Sequence, residues 1–285
     1  MQIGIRCEKL IEHDRVSTIY CFLGNFCMAF HRFIATCVFL SYSVFSFALY
    51  NGSPSLPEMP ENGFFLSKDS ALAVKTGYEG DFLFGRNFKI SSSLSNSGIH
   101  SMFNAGVLTL GFVNRAEVYS CLGATQTQVT FTSLHEKIRL KTNQNFGGEL
   151  GIRANTPIWG DMKFGVDAKY FYAWPFLSQI LVGNNTVETV GDVFQREWQI
   201  GASISQTFAF FTPYVGVKFS KFFLKYVDLS SLHQWIPSGK VSIHNQSPFG
   251  FFVGMGISGK TGIYFDFEAR FIDEYAATGA LGLSF

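Results

Sequence analysis

Four histidines, His100, His135, His233 and His244, stand in polar stretches, with acids such as Glu136 and Asp273 in segments of the same kind. A histidine beside a carboxylate can act as a general base, so these residues are the first place to look for catalysis. No motif fixes a nucleophile or orients a base among them. The H-E-x-x-H spacing of a metal site is absent, and Gly250, Gly254 and Gly256 alternate as strand glycines, not as a phosphate loop. The expectation is therefore no enzyme, no cofactor and no metal.

More telling charges recur at every second position. From Asp161 to Tyr172, Lys163, Asp167 and Lys169 share one face, while Phe164, Val166, Ala168 and Tyr170 share the other. A helix would scatter these charges around its axis, so period two decides for a strand. The same rule places Lys75, Glu79, Asp81, Arg115, Glu117, Glu149, Arg153, Asp161, Glu197, Lys218, Asp266, Glu268 and Arg270 on a polar face, with large apolar residues opposite. Seven bases face nine acids, which in an open channel would select weakly, with a slight preference for cations.

Composition says which kind of sheet this is. Apolar residues make up 47% of the 285, aromatics 17% and charged residues 15%, with 33 Phe. The charged share is well below the roughly 25% of soluble domains. No stretch after residue 50 has the roughly 20 consecutive apolar residues of a membrane helix. Apolar surface laid out in alternation predicts an antiparallel transmembrane β-barrel, lipid outside and a polar interior. A soluble sandwich also alternates, but it would rarely put large aromatics on the apolar face of nearly every strand.

Residues 1–48 read as a signal peptide. Phe33 to Phe47 is apolar, Arg32 precedes it, and Ser46-Phe47-Ala48 offers small residues for cleavage after Ala48. Met28 is an alternative start. Four bases and three acids lie before this site, which leaves the mature chain neutral and argues against nucleic acid as a partner. Only Cys121 of the five cysteines remains, too few for an internal disulfide or a cysteine zinc site. Residues 49–70 are expected to be a periplasmic segment and 71–285 the barrel.

Turns alternate in length. Short ones occur near Val113, Trp159-Gly160, Phe208 to Phe210 and Gly259-Lys260, and longer polar ones at 86–100, 126–146, 175–192 and 226–247. Short periplasmic turns and long outer loops give about ten strands. The count could rise toward sixteen, since Gln128 to Thr132 and Lys137 to Leu140 also alternate within one loop. The last strand ends on Phe285 with Ala277, Gly279, Leu281 and Leu283 toward lipid.

Several runs have a familiar look. Arg115-Ala-Glu-Val-Tyr-Ser-Cys-Leu-Gly-Ala-Thr125, Glu197-Trp-Gln-Ile-Gly-Ala, Phe211-Thr-Pro-Tyr-Val-Gly-Val-Lys-Phe-Ser220, Ala269-Arg-Phe-Ile-Asp-Glu-Tyr-Ala-Ala277 and Thr76-Gly-Tyr-Glu-Gly-Asp-Phe82 occur in this chain. They resemble strands of the chlamydial major outer membrane protein family, in family order across most of the mature chain. The resemblance implies an outer-membrane porin that passes small solutes and contributes to envelope structure. That family is cross-linked through many cysteines; here Cys121 could support at most one intermolecular bridge. The chain is also shorter, with the variable loops trimmed.

Two functions follow from the sequence. One is a porin-like diffusion channel in the outer membrane, with lipid and small solutes as partners and room for a homo-oligomer. The other is a non-conducting structural barrel or surface antigen that presents its outer loops. Strand number separates them, because about eight strands pack solid while sixteen to eighteen leave a channel.

Overall fold

Alternation builds long strands, and the strands close on one another. The computed structural model describes residues 50, 52–53, 72–90, 95–113, 115–187, 191–236, 238–258 and 262–285. The leader and its cleavage site lie outside them. Fifteen strands are present: β1 (Leu72–Arg86), β2 (Phe88–Ile90), β3 (Ser95–Phe112), β4 (Ala116–Ser133), β5 (Glu136–Thr142), β6 (Asn145–Trp159), β7 (Met162–Ala173), β8 (Leu177–Val182), β9 (Asn185–Val187), β10 (Asp192–Gln206), β11 (Phe211–Val227), β12 (Val241–Asn245), β13 (Phe249–Ser258), β14 (Ile263–Phe271) and β15 (Glu274–Ser284).

Ten of them form an antiparallel ring in the order β1, β3, β4, β6, β7, β10, β11, β13, β14, β15. β15 returns to β1, with Lys75 opposite Ser284 and Asp81 opposite Thr278. Closure leaves no free sheet edge in this ring, which is what an apolar solvent demands of a sheet. The expected all-β barrel of about ten strands is what forms.

The other five strands stand beyond the ring, on the side of the long connections. β4 runs on past the barrel to pair with β5, which pairs with β8, which pairs with β9. β11 likewise continues to pair with β12, and β12 with β2. The alternating segments at 128–132 and 137–140 therefore belong to this outer sheet and do not add a barrel pair. They alternate because each still has one face on a core and one on solvent.

The outside of the ring is apolar. Leu108, Leu110, Leu122, Ile152, Val166, Ile200, Val215 and Val217 are all exposed, with aromatics such as Phe112, Trp159, Phe210 and Trp198 above and below them. Along β11 this band runs from Phe211 to Lys221. Ten steps of about 3.3 Å each, tilted by about 40°, span roughly 25 Å, the height of a lipid-facing belt.

Several tight turns put non-glycine residues in the left-handed region. Leu134 and His135 join β4 to β5 at φ 48° and 69°, and Ile272 joins β14 to β15 at φ 83°. Such angles cost a side-chain-bearing residue energy that the flanking contacts must supply.

Candidate functional site in the barrel interior

Thirteen of the sixteen inward positions that the alternation names end in a packed interior. Lys75, Glu79, Glu117, Glu149, Arg153, Asp167, Lys169, Lys218, Asp266, Glu268 and Arg270 are all buried there. Three expected members differ. Arg115 is exposed in the β3–β4 turn, and Lys163 is half-exposed near the start of β7. Both keep the inward parity of their strands but sit at the end of the barrel, where water reaches them. Asp161, in the β6–β7 turn, is exposed for the same reason.

The interior is organised in tiers. Nearest the short turns, Lys75 binds Glu117 at 2.5 Å, and Arg153 reaches Glu117 at 3.5 Å and Asp167 at 3.3 Å. Lys169 lies 3.6 Å from Glu149 and 3.8 Å from Asp167. Tyr119 donates to Asp167 at 2.8 Å, and Tyr214 donates to Asp266 at 2.6 Å and Glu268 at 3.3 Å.

Those tyrosines fit because glycine sits opposite. Tyr119, Tyr214 and Tyr264 pair across the sheet with Gly151, Gly254 and Gly282. Each ring occupies the space that a Cβ on its partner would need. The rings thus lie against the barrel wall, and the Tyr119 and Tyr214 hydroxyls reach carboxylates of the tier.

The next tier crosses the barrel. Arg86 of β1 donates from Nη1 and Nη2 to Glu197 of β10, at 2.8 and 2.9 Å, and also pairs with Glu274. Its guanidinium lies over the Phe222 ring at 4.6 Å. Lys218 binds Asp273 at 3.1 Å and also Glu274, and Arg270 binds Glu268 at 2.9 Å, Glu274 at 3.1 Å and Asp81. Burial and the adjacent Glu274 carboxylate push Asp273, in the turn before β15, up to about 6.

Arg86, Asp273 and Glu274 were not placed inside by the sequence. Arg86 ends its strand next to a long loop, and the two acids stand in what reads as a loop. Their signal was weak but present: Arg86 continues the inward parity of Lys75, Glu79 and Asp81 after the register shift that lies between Leu83 and Gly85.

Above the charges the interior is apolar. Phe103 meets Phe171 edge to face at 5.3 Å, and Ile99, Val129, Phe131, Val193, Phe222 and Leu224 pack around them. Ile138, Leu140, Ile180 and Val182 of the β5–β8 sheet, Ile243 of β12, and Leu229, Leu232 and Ile236 in and beside the short helical turn Ser230–Leu232 belong to the same cluster. Ser133 donates to the Trp235 carbonyl at 2.9 Å, tying the β4–β5 hairpin to that turn. The long connections therefore fold down as a lid continuous with the interior.

The chain's own N-terminal side also enters. Tyr50, Gly52 and Ser53 are buried, although 49–70 reads as a periplasmic segment. The Gly52 amide donates to Glu268 at 2.9 Å, and Tyr50 lies 6.0 Å from the Arg153 guanidinium and 5.8 Å from the Lys169 ammonium. The cavity beside Tyr50, lined also by Glu79, Glu117, Tyr119, Arg153 and Tyr264, holds about 30 Å³, room for one water.

Cys121 is fully buried on the inward face of β4, with its thiol 3.9 Å from Glu79. The thiol thus faces the barrel interior and not the surface. The histidines are dispersed over β3 (His100), the β4–β5 turn (His135), the residues after the helical turn (His233) and β12 (His244).

Lipid is the solvent that this exterior fits. A closed ring with an apolar belt about 25 Å tall and its charges inside has the surface of a membrane-spanning barrel. No known family profile matches the chain, and no characterised protein matches it in sequence. Among solved structures, the β domain of the Bordetella autotransporter BrkA is similar over 75% of this chain and 99% of its own, at 9% identity and a TM-score of 0.42. The outer membrane protease OmpT from Escherichia coli is similar over 75% and 95%, at 9% identity and a TM-score of 0.37. The outer membrane protein OprG from Pseudomonas aeruginosa is similar over 75% and 95%, at 9% identity and a TM-score of 0.36. The membrane assignment rests on the barrel's own surfaces.

Proposed function

We propose that this protein is a non-conducting barrel of a Gram-negative outer membrane that stabilises the envelope and presents its outer sheet to the surroundings. The observation that carries this reading is the interior itself. An ion-paired tier bridges opposite walls, and an apolar cluster roofs it. An aqueous pathway needs polar, hydrated walls along its whole length. Here the outer part of the interior is lined by Phe, Ile, Val and Leu that also pack against the lid.

A porin was the other function open to the sequence. Ten strands place the barrel near the packed end of the size range. The resemblance to the chlamydial major outer membrane protein family supports an envelope role, and the packed interior favours the structural half of what that family would imply. Catalysis finds no support in the dispersed histidines.

The test is solute entry. Proteoliposomes carrying the folded barrel should swell in small sugars no faster than protein-free vesicles. Swelling that rises with protein content would sink the reading.

A further inference from the structure

The outward face above the lipid belt carries cations where a lipid-facing surface is expected to be neutral. Along β11 the outward residues run Val215, Val217, Phe219, Lys221, Phe223, Lys225. Register places Arg196 of β10 and His244 of β12 opposite Phe223, and Lys89 of β2 opposite His244. Arg196, Phe223, His244 and Lys89 thus form a row over four adjacent strands, with Lys221 and Lys225 flanking it two residues either way along β11. Arg196, Lys221, His244 and Lys89 are exposed.

The row is organised by aromatic rings. The Arg196 guanidinium lies 4.7 Å from the Phe223 centroid, and the Phe223 and His244 rings are 5.1 Å apart. A guanidinium held by a ring, and not by a carboxylate, keeps its donors for an outside acceptor. Among the described residues no acid forms an ion pair with Arg196, Lys221, Lys225 or Lys89, nor with His244 beside them. The next outward acid on β10 is Asp192, four residues or about 13 Å farther from the belt.

Depth gives the groove its meaning. Trp198 pairs with Tyr170 on one side and Lys221 on the other, marking the aromatic girdle. A groove of about 360 Å³ opens there, lined by Tyr170, Trp198, Arg196, Lys221, Phe223 and His244, and by Glu197, whose carboxylate is turned inward to Arg86. Aliphatic Ile200, Val215 and Val217 lie directly below. Aromatic girdles sit at the headgroup level of a membrane, so the cations stand where anionic headgroups would be. A soluble anion would use the charges and leave the apolar wall idle; a lipid uses both.

We propose that this face binds a phosphorylated glycolipid of the outer leaflet. Its phosphates would be held by Arg196, Lys221 and Lys225, and its acyl chains would lie along Phe219, Val217 and Ile200. The proposal rests on the barrel's spanning a membrane by this belt, and the test separates the two claims.

The full protein and an R196E/K221E variant are folded into phosphatidylcholine vesicles containing a small fraction of bisphosphorylated lipid A. Insertion is scored by protection from protease, and retained lipid by native mass spectrometry after extraction into detergent. The wild type should retain the phosphorylated lipid at least tenfold more than the inserted variant. Neither should retain the dephosphorylated form. Equal retention by both proteins, or equal retention of both lipids, overturns the site while leaving the membrane reading standing. Failure of the wild type to insert overturns both. If the charge-reversed variant does not insert, R196Q/K221Q takes its place under the same criteria.

Discussion

Arg86 and Glu197 face each other across the full width of the barrel. Their strands, β1 and β10, are five places apart in a ring of ten, so the two-pronged ion pair at 2.8 and 2.9 Å spans opposite walls. It is both a brace and an obstruction. Arg86 also neutralises Glu274, and so ties the β14–β15 turn to the same point.

Removing that arginine should be costly. R86A leaves Glu197 with no guanidinium and Glu274 with one cation fewer, in a site away from water. Losing one partner of a buried pair costs about 3–5 kcal/mol. The expected result is a clear fall in the urea midpoint of the folded barrel in detergent. A midpoint within error of wild type would contradict the bracing role.

The tyrosine–glycine contacts predict an order among small substitutions. G254A and G282A each put a methyl group where the Tyr214 or Tyr264 ring lies. Overpacking of this kind costs about 1–3 kcal/mol. Pairing G254A with Y214A should recover part of the loss, because the ring is gone. If the double variant is as unstable as the sum of the two single ones, the contact is not what the glycine serves.

The β4–β5 turn should accept better residues. Leu134 and His135 both have positive φ, which a type I′ turn prefers to fill with Asn-Gly. L134N/H135G should stabilise the barrel, or at worst leave it unchanged, by up to about 1 kcal/mol. Both side chains are exposed, so little packing is lost. A drop of the midpoint would show that the turn geometry is different.

Asp273 gives a pH dependence with a defined sign. Its folded-state value is pushed up to about 6, above the roughly 3.9 of a free aspartate. A group whose value rises on folding favours the folded state most at low pH, and that contribution is lost as pH rises through about 6. D273N stays neutral throughout. Stability curves at pH 5 and 7.5 should therefore diverge in favour of D273N at the higher pH. Parallel curves, or divergence the other way, would contradict the burial assigned to Asp273.

The ring was legible in the sequence because lipid imposes period two on every strand that touches it. Phe211 to Ser220 and Asp161 to Tyr172 reveal their faces at sight, and thirteen of the sixteen charged positions expected inside are buried there. What was not legible lies where that constraint stops. Above the belt, segments such as Lys137 to Leu140 still alternate, but against a protein core, so the pattern does not distinguish a barrel strand from an outer ladder. Arg115 and Lys163 obey the parity yet stand at a rim. Tyr50 enters the interior from a segment with no period at all, and its placement depends on tertiary contacts, those with Arg153, Lys169 and Tyr264 among them.

The lid was the hardest feature to read. Ile138, Leu140, Ile180 and Ile243 belong to loops by their position between barrel strands, and polar neighbours such as Lys137, Arg139 and Lys141 conceal them. Only the interior cluster that they join shows why they are apolar. That cluster is the observation on which the proposal of a closed barrel rests.

Planar-bilayer recording of the refolded wild-type barrel tests the closed interior most directly. Insertion is confirmed separately by protection from protease in vesicles of the same lipid. The account predicts a membrane that stays electrically silent while correctly folded barrels accumulate in it. Discrete, reproducible conductance steps from the wild-type protein would show that ions pass the Arg86–Glu197 bridge and the apolar roof, and would contradict it.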